Sequence, residues 1–468
     1  MSLFSLREAA ALIPDARIIG DASVRFERVS TDSRTVAPGE LFVALKGERF
    51  DAHDFLPEAV KRGAVAALVS RDFPEILLPA LKAPDTCAAL GLLARGWRRR
   101  FALPLTAVVG SNGKTTVKEM IASIFAAAVG MEACFATYGN LNNQIGLPLT
   151  LLRLNPMHRL GVVELGMNTP GETAVLMEIA EPTIVLVNNA QREHQAFMKS
   201  VEAVAHEYAD AIEALPAEGV AVFPADDVYT ALWRKAAGAR RVIDFALDDE
   251  TAGAAVRGIW QPDSQLEPFS IQTEIGACAL KLRTLGRHNA RNALAATAAA
   301  LASGVDDLKI IQKGLEAFEP VAGRLTLKIA CVAPLAGATV IDDSYNANPD
   351  SLRAAIDVLA VCSPPRALVM GDMGEVGEDG AAFHHEIGAY ARARGIDALY
   401  ALGEASRGAC AAFGAGAHAF DDAAALVEHL LRAGLDARAT ILVKGSRFMK
   451  MERVVNALTD PLHTRTGN

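Results

Sequence analysis

The chain has 468 residues, about three times the length of a typical domain. Its 51% hydrophobic and 22% charged residues suit ordinary globular cores. Lys and Arg number 46 against 55 Asp and Glu, a net charge of −9 that argues against nucleic acid or an acidic membrane surface as the main partner. No apolar run reaches the ~18 residues of a membrane-spanning helix. The start, MSLFSLREAAALIPDAR, lacks the basic-then-apolar plan of a signal peptide. Six cysteines, no two closer than 31 residues, offer no CxxC spacing and no disulfide framework. A cytoplasmic multidomain protein is expected.

Taken in order, residues 1–100 read as a small α/β domain, with apolar runs LFVAL (41–45) and AVAALVS (64–70) between turns. WRRR (97–100), before Leu103-Pro104, reads as its boundary and a solvated linker. Residues 101–318 open with TAVVG and a helix whose Met120, Ile121, Ile124, Phe125 and Ala128 share one face. LGVVEL (160–165), TIVLVN (183–188) and GVAVF (219–223) are buried-strand candidates, and strands interleaved with helices predict a mostly parallel sheet. The alternating segment 254–285 predicts antiparallel strands at its edge. Alanine-rich ALAATAAALA (293–302) predicts a tightly packed buried helix. Residues 319–468 repeat the rhythm in ATVID (338–342), RALVMG (366–371), DALYAL (397–402) and ATILVKG (439–445), a Rossmann-like doubly wound sheet with ATVID as its first strand.

The strongest local signal is Gly110-Ser111-Asn112-Gly113-Lys114-Thr115-Thr116, between a strand and an amphipathic helix. Glycines let the backbone N–H groups turn inward on phosphate oxygens, and the helix N-terminus adds partial positive charge. Lys114 supplies a cation for β/γ-phosphates, and the Thr115 hydroxyl can ligate Mg²⁺. The loop is short: Val108 stands where the general nucleotide loop has glycine. Glu164 ends an apolar strand, where a carboxylate is costly unless paired or metal-bound. His194 follows the strand ending Asn188-Asn189, at the edge where open α/β sheets bind ligands; alone, it reads rather as a surface histidine. With Lys114 and Glu164 it forms a candidate magnesium–ATP set. Asn289 and Asn292 share a helix face and suit an adenine edge, or simply cap a helix start. Gly323-Arg324 opens the third domain. Asp342-Asp343 precede Ser344-Tyr345-Asn346-Ala347-Asn348-Pro349 and suit a ribose hydroxyl, a cation-assisted role or a turn cap.

GSNGKTT, TYGNLNNQIGLPLTLL (137–152), VELGMN (163–168), GRHNARNALAA (286–296) and IDDSYNANPDS (341–351) stand in the order and spacing of the Mur ligases, which the chain resembles over all three domains. SYNANP and the long asparagine run are similar to the branch that adds D-alanyl-D-alanine, and the DNPR signature of the preceding ligase is absent. The resemblance implies ATP-dependent joining of D-alanyl-D-alanine to a UDP-N-acetylmuramoyl-tripeptide through an acyl phosphate, by a monomer using Mg²⁺. It implies phosphate on Lys114; magnesium on Thr115, Glu164 and His194; and adenine on Asn289 and Asn292. Arg324 and Asp343 would reach the nucleotide from the third domain. Thr31-Asp32-Ser33-Arg34 and FVALKGERFDAHDF (42–55) resemble the family's uridine-nucleotide module, which puts UDP on Asp32, Ser33, Arg34 and Lys46. Asn140, Asn143 and Asn346 would line the peptide path.

Two departures stand out. Many family members carry a carbamoylated lysine on the helix after the histidine loop; here SVEAVAHEYADAI (200–212) has none, and Lys199 is too early. His206, Glu207 or Asp210 is expected to replace it, or the second ion is held more loosely. Ala52 stands where the uridine module has glycine. Among decoys, the GxGxxA match at 414–419 does not follow a strand. His384-His385-Glu386 reads as a surface helix, and GDMGEVGEDG (371–380) as a flexible acidic loop near the cleft. The rival functions are another amide ligase of this fold, either one adding the third residue or a folylpolyglutamate synthase, and a non-catalytic ATP-binding regulator.

Overall fold

β-Branched and leucine-rich runs assemble into three main sheets in the computed structural model, which describes residues 2–72, 78–248, 253–260 and 269–460. The first sheet has five strands: Arg17–Ile19, Ala80–Lys82, Ala66–Val69, Glu40–Val43 and Arg28–Ser30. The last four run parallel, so the chain after Ser30, Val43 and Val69 emerges at one edge. Three of these strands are only three residues long, below what a periodicity reading can detect.

The second sheet, in spatial order, is Gly276–Leu280, Phe269–Thr273, Val256–Ile259, Arg241–Leu247, Val220–Pro224, Ile184–Val187, Leu105–Val109, Leu160–Glu164 and Cys134–Ala136. Pairing is parallel from Cys134–Ala136 to Val256–Ile259 and antiparallel in the last two pairs. The expected antiparallel edge strands are therefore present; residues 261–268 of that segment lie outside the described residues. Helix Lys114–Val129 buries the anticipated face of Met120, Ile121, Ile124 and Phe125 in one core with the alanine-rich helix Arg287–Ala302. Alanines allow that close approach because they present so little side chain.

The third sheet runs Thr326–Ile329, Thr339–Asp343, Thr440–Lys444, Arg366–Gly371, Ala398–Leu402, Ala417–Phe420, parallel except for its first strand. Thr339–Asp343 is therefore the second strand of this unit. Thr326–Ile329 precedes it as an edge strand with Leu327 and Ile329 exposed, which hides it from a hydrophobic-run reading. Separate apolar clusters fill the two faces of this sheet, as in a doubly wound fold.

The solvated linker at 97–100 is corrected. Helix Thr86–Arg98 packs on the middle unit, where the Trp97 indole N–H donates to the Leu154 carbonyl at 2.9 Å. Arg98 is buried and donates to the Phe101 and Leu103 carbonyls, Arg95 and Arg99 grip Glu181, and Arg100 lies 4.5 Å over the Phe4 ring. An arginine stem packs like an apolar chain while its fork satisfies turn carbonyls, so Arg98 is buried although Arg99 and Arg100 remain exposed. His384-His385-Glu386 also differs from expectation. His384 is fully buried, accepting from the Met373 N–H at 2.9 Å, and Glu386 pairs with Arg192 and Arg353. The 414–419 match enters the edge strand Ala417–Phe420.

Candidate active site

The strand Leu105–Val109 delivers the chain to the glycine loop, and helix Lys114–Val129 carries it away. Val108 is a core residue of that strand, paired on both sides, so the short loop needs no glycine there. Gly113 has φ 80°, and a Cβ on it would come within 2.8 Å of Asn188 Nδ2 and Asn292 Oδ1. Side-chain amides thus press directly on the loop. Asn188 Nδ2 donates to the Asn112 carbonyl at 2.8 Å, and Asn189 Oδ1 accepts from the Asn112 N–H at 2.9 Å.

Lys114 Nζ lies over its own loop, 2.5 Å from the Gly110 carbonyl, and pairs with Glu193 Oε2 at 3.2 Å. Tyr208, from helix Val201–Glu213, donates its hydroxyl to Glu193 Oε1 at 2.5 Å. Burial, reinforced by the Glu193 charge, pushes the Tyr208 phenol well above its ordinary value, which keeps it a donor. Glu164 is buried; Oε1 accepts from Asn142 Nδ2 at 2.7 Å and Oε2 has no hydrogen-bond partner. His194 Nδ1 is 2.6 Å from Glu375 Oε2, whose carboxyl the histidine holds below its ordinary range.

Across the cleft, Asp343 Oδ2 receives Lys444 Nζ at 2.5 Å, and the same ammonium reaches the Asn346 carbonyl at 2.9 Å. Burial outweighs these contacts and raises the Asp343 carboxyl. Arg324 lies 4.3 Å over the Tyr345 ring. The two faces meet at a polar seam. Asn348 Nδ2 donates to Asn112 Oδ1 at 2.9 Å, Arg192 forks onto Asp350 at 2.6 Å and Glu386 at 2.7 Å, and the Ala196 N–H donates to the Glu375 carbonyl at 3.1 Å. The acidic loop thus lies at the cleft, as anticipated.

Nearly all the phosphate, magnesium, third-domain and peptide-path residues anticipated from the sequence border one cleft of about 1220 Å³: Ser111, Asn112, Gly113, Lys114, Thr115, Thr116, Asn140, Asn143, Glu164, His194, Asn289, Asn292, Arg324, Asp343 and Asn346. Asn289 and Asn292 also brace the loop. Asn292 Nδ2 donates to Asn289 Oδ1 at 3.0 Å, and Asn292 Oδ1 accepts from Asn188 Nδ2 at 2.9 Å, so a purine edge would compete with these bonds. Asn143 Oδ1 receives the Gly146 N–H at 2.9 Å at the start of helix Gly146–Leu151.

Asp32, Ser33, Arg34 and Lys46 lie elsewhere, in the chain that emerges from the parallel strands of the small sheet. Arg34 forks onto Asp32 at 2.7 Å, and Ser33 donates to Glu58 at 3.0 Å. Ala52 opens a short 3-10 turn, its N–H bonded to the Leu45 carbonyl at 2.9 Å, and its φ is not positive; alanine is unstrained there.

The expected stand-ins for a modified lysine are corrected. Glu207 accepts the Gly171 and Thr173 N–H groups at 3.0 and 2.9 Å, holding the start of helix Glu172–Ala180, while His206 and Asp210 are exposed; none borders the cleft. The helix instead turns Tyr208 inward. Glu193, Tyr208, Asn142, Lys444 and Arg192 escaped the sequence reading. Lys444 ends the buried strand ILVK as Glu164 ends VVE, so the same signal applied; a lone tyrosine carries none.

Do these residues fit a divalent cation? The unpartnered, buried Glu164 oxygen and the Thr115 hydroxyl are hard oxygen donors on the same cleft. No cage of three or more His, Cys, Asp or Glu side chains forms among the described residues. Magnesium suits that, since it takes one or two carboxylates with phosphate oxygens and water. The residues fit.

Models of the Mur ligase family match successive stretches: the catalytic domain at 25–97, the middle domain at 108–300 and the glutamate ligase domain at 323–447. UDP-N-acetylmuramoyl-tripeptide–D-alanyl-D-alanine ligase of Escherichia coli (strain K12) is 40% identical over 94% of this chain and 95% of its own. The chain belongs to the Mur ligase family. A crystal structure of MurF from Acinetobacter baumannii superposes with a TM-score of 0.87 at 33% identity, covering 97% of each chain. MurF ligase of Thermotoga maritima in complex with ADP superposes with a TM-score of 0.81 at 25% identity, covering 94% of this chain and 98% of its own. Among Mur ligases, this chain therefore has the three-unit α/β architecture, and among its described residues no helix is long and apolar enough to cross a membrane.

Proposed function

We infer that this Mur ligase joins D-alanyl-D-alanine to a UDP-N-acetylmuramoyl-tripeptide at the expense of ATP, releasing ADP and phosphate. The observation that carries the reading is the junction of a phosphate loop, a buried carboxylate with a free oxygen and a third-unit cation–carboxylate pair on one cleft, in a chain akin to ligases so named.

The physics accounts for the residue types. A carboxylate is a poor electrophile, so its oxygen first attacks the γ-phosphorus, ADP leaves, and an acyl phosphate results. The dipeptide amine then attacks the carbonyl carbon, phosphate departs with the C–O bond, and the amine proton is lost. The first step presses anion on anion. Lys114, exchanging its carbonyl and Glu193 contacts for phosphate oxygens, screens that repulsion from a largely buried position where its charge is little weakened by water. Magnesium, when bound, neutralises charge developing on the phosphates; Thr115, Glu164 and His194 would hold it. Asn142 holds one oxygen of Glu164 and leaves the second without a protein partner. The Arg192 and Asn348 seam brings Arg324, Asp343 and Lys444 over the nucleotide and excludes water, which would hydrolyse an acyl phosphate. Residues 1–100 hold the UDP end through Asp32, Ser33, Arg34 and Lys46; 101–318 hold ATP; 319–468 close on both, with 461–468 outside the described residues. Asn140, Asn143 and Asn346 line the peptide path, and Asn289 and Asn292 the adenine. One chain supplies the whole cleft, which supports action as a monomer, and dependence on nucleotide substrates supports a cytoplasmic reaction.

The test is product mass. Muramoyl tripeptide, ATP and D-alanyl-D-alanine should give the dipeptide-extended product with one phosphate released per bond. ATP consumption with glutamate and a folate, or none with any acceptor, would overturn the assignment.

A further inference from the structure

Behind the phosphate loop lies a chain of buried groups that the mechanism above uses only at one end. Tyr208 is 1% exposed and Glu193 5%. The phenol fixes Glu193 Oε1 at 2.5 Å, leaving Oε2 to Lys114 Nζ at 3.2 Å and 3.9 Å from His194 Nε2. A carboxylate so enclosed is costly unless every oxygen is engaged. Its Oε2, held only by Lys114, lies between the very groups assigned to phosphate and cation. Helix Val201–Glu213 contains no lysine, and its Glu207 is committed to backbone N–H groups.

We propose that Glu193, whose Oε2 lies 3.9 Å from His194 Nε2, is a carboxylate ligand for a divalent cation on the His194 side of the cleft and that Tyr208 is its positioning residue. A triphosphate competing for Lys114 releases Glu193 Oε2 to the cation, while the phenol keeps the carboxylate from rotating away. No lysine modification is then required on this helix. The inference rests on reading the cleft as a magnesium–nucleotide site.

Calorimetric titration of the full chain with the β,γ-imido analogue of ATP, over a magnesium series, reads the coupling without turnover. In the wild type, magnesium should tighten binding. Tyr208→Phe should raise the magnesium concentration for half-maximal tightening about tenfold, the usual effect of losing an outer-shell partner, and Glu193→Gln should raise it at least as far. A tyrosine that merely packs would lower the melting temperature and leave that midpoint in place. An unmoved midpoint in Tyr208→Phe overturns the positioning role; an unmoved midpoint in Glu193→Gln overturns the whole inference and decides it alone if Tyr208→Phe does not fold. A wild type whose binding ignores magnesium instead sinks the reading of the cleft itself.

Discussion

Two sheet edges of this molecule carry charged residues where parallel strands end, and they are built on opposite plans. At the middle sheet, the Lys114 and Glu193 side chains are 15% and 5% exposed, and each is held by several partners. At the small sheet, the Arg34 and Asp32 side chains are 79% and 37% exposed and bond chiefly to each other. Charges in a dry, fixed site act strongly and need no reorganisation as a reaction proceeds, whereas charges in water act weakly but adapt. The first plan suits bond making; the second suits holding a large soluble group.

The contrast is broken most directly at Lys114. Lys114→Ala should cut phosphate release by about a thousandfold or more while the chain stays folded, since electrostatic groups fixed at developing charge are the largest single contribution in such sites. Near wild-type turnover would mean that the dry edge does no chemistry.

The seam between the middle and third units lies between the extremes. His288, at the start of helix Arg287–Ala302, is pushed down to about 4 by burial first and by the Lys444 charge second. Its folded value is below the unfolded ~6.5. Between pH 6.5 and 4 the unfolded chain therefore binds the extra proton, so stability falls as pH drops and the loss is complete below 4. Allowing for partial exposure, the loss should be about 2 kcal/mol. Urea unfolding at pH 7.5 and 4.5 should show His288→Asn losing less than the wild type by most of that amount. Arg192→Ala should act next, lowering kcat/KM about tenfold and increasing the radius of gyration in X-ray scattering, because Asp350 and Glu386 lose a half-buried partner. Unchanged scattering would show that the seam holds without it.

The same contrast governs what was legible in the sequence. The loop GSNGKTT and the carboxylate ending VVE are local patterns, and the cleft gathers them as anticipated. Runs such as TIVLVN bury both faces and so announce strands. Thr326–Ile329 has an exposed face and Cys134–Ala136 only three residues, so neither stood out. Tyr208 touches Glu193 across 15 residues and Asn112 meets Asn348 across 236, and no spacing encodes such contacts. Glu207 fell on the anticipated helix yet turned towards a neighbouring helix start, because a buried carboxylate is best satisfied by unpaired N–H groups.

The mildest prediction tests the exposed edge. Hydrogen bonds from Arg34 hold the Asp32 carboxyl down to about 2, so both groups are charged at neutral pH and each remains charged without the other. Arg34→Ala therefore leaves an exposed aspartate that water solvates at once, and melting temperature should not move. What is lost is one cation within reach of a diphosphate. KM for the UDP-linked substrate should rise about threefold to tenfold, more at low salt than at high, since screening removes an exposed charge's contribution first. KM for ATP and kcat should stay put, because a group that binds ground state and transition state alike changes KM alone. A fall in kcat with unchanged KM would place Arg34 in contact with the reacting end, and the division of labour between wet and dry edges would fail.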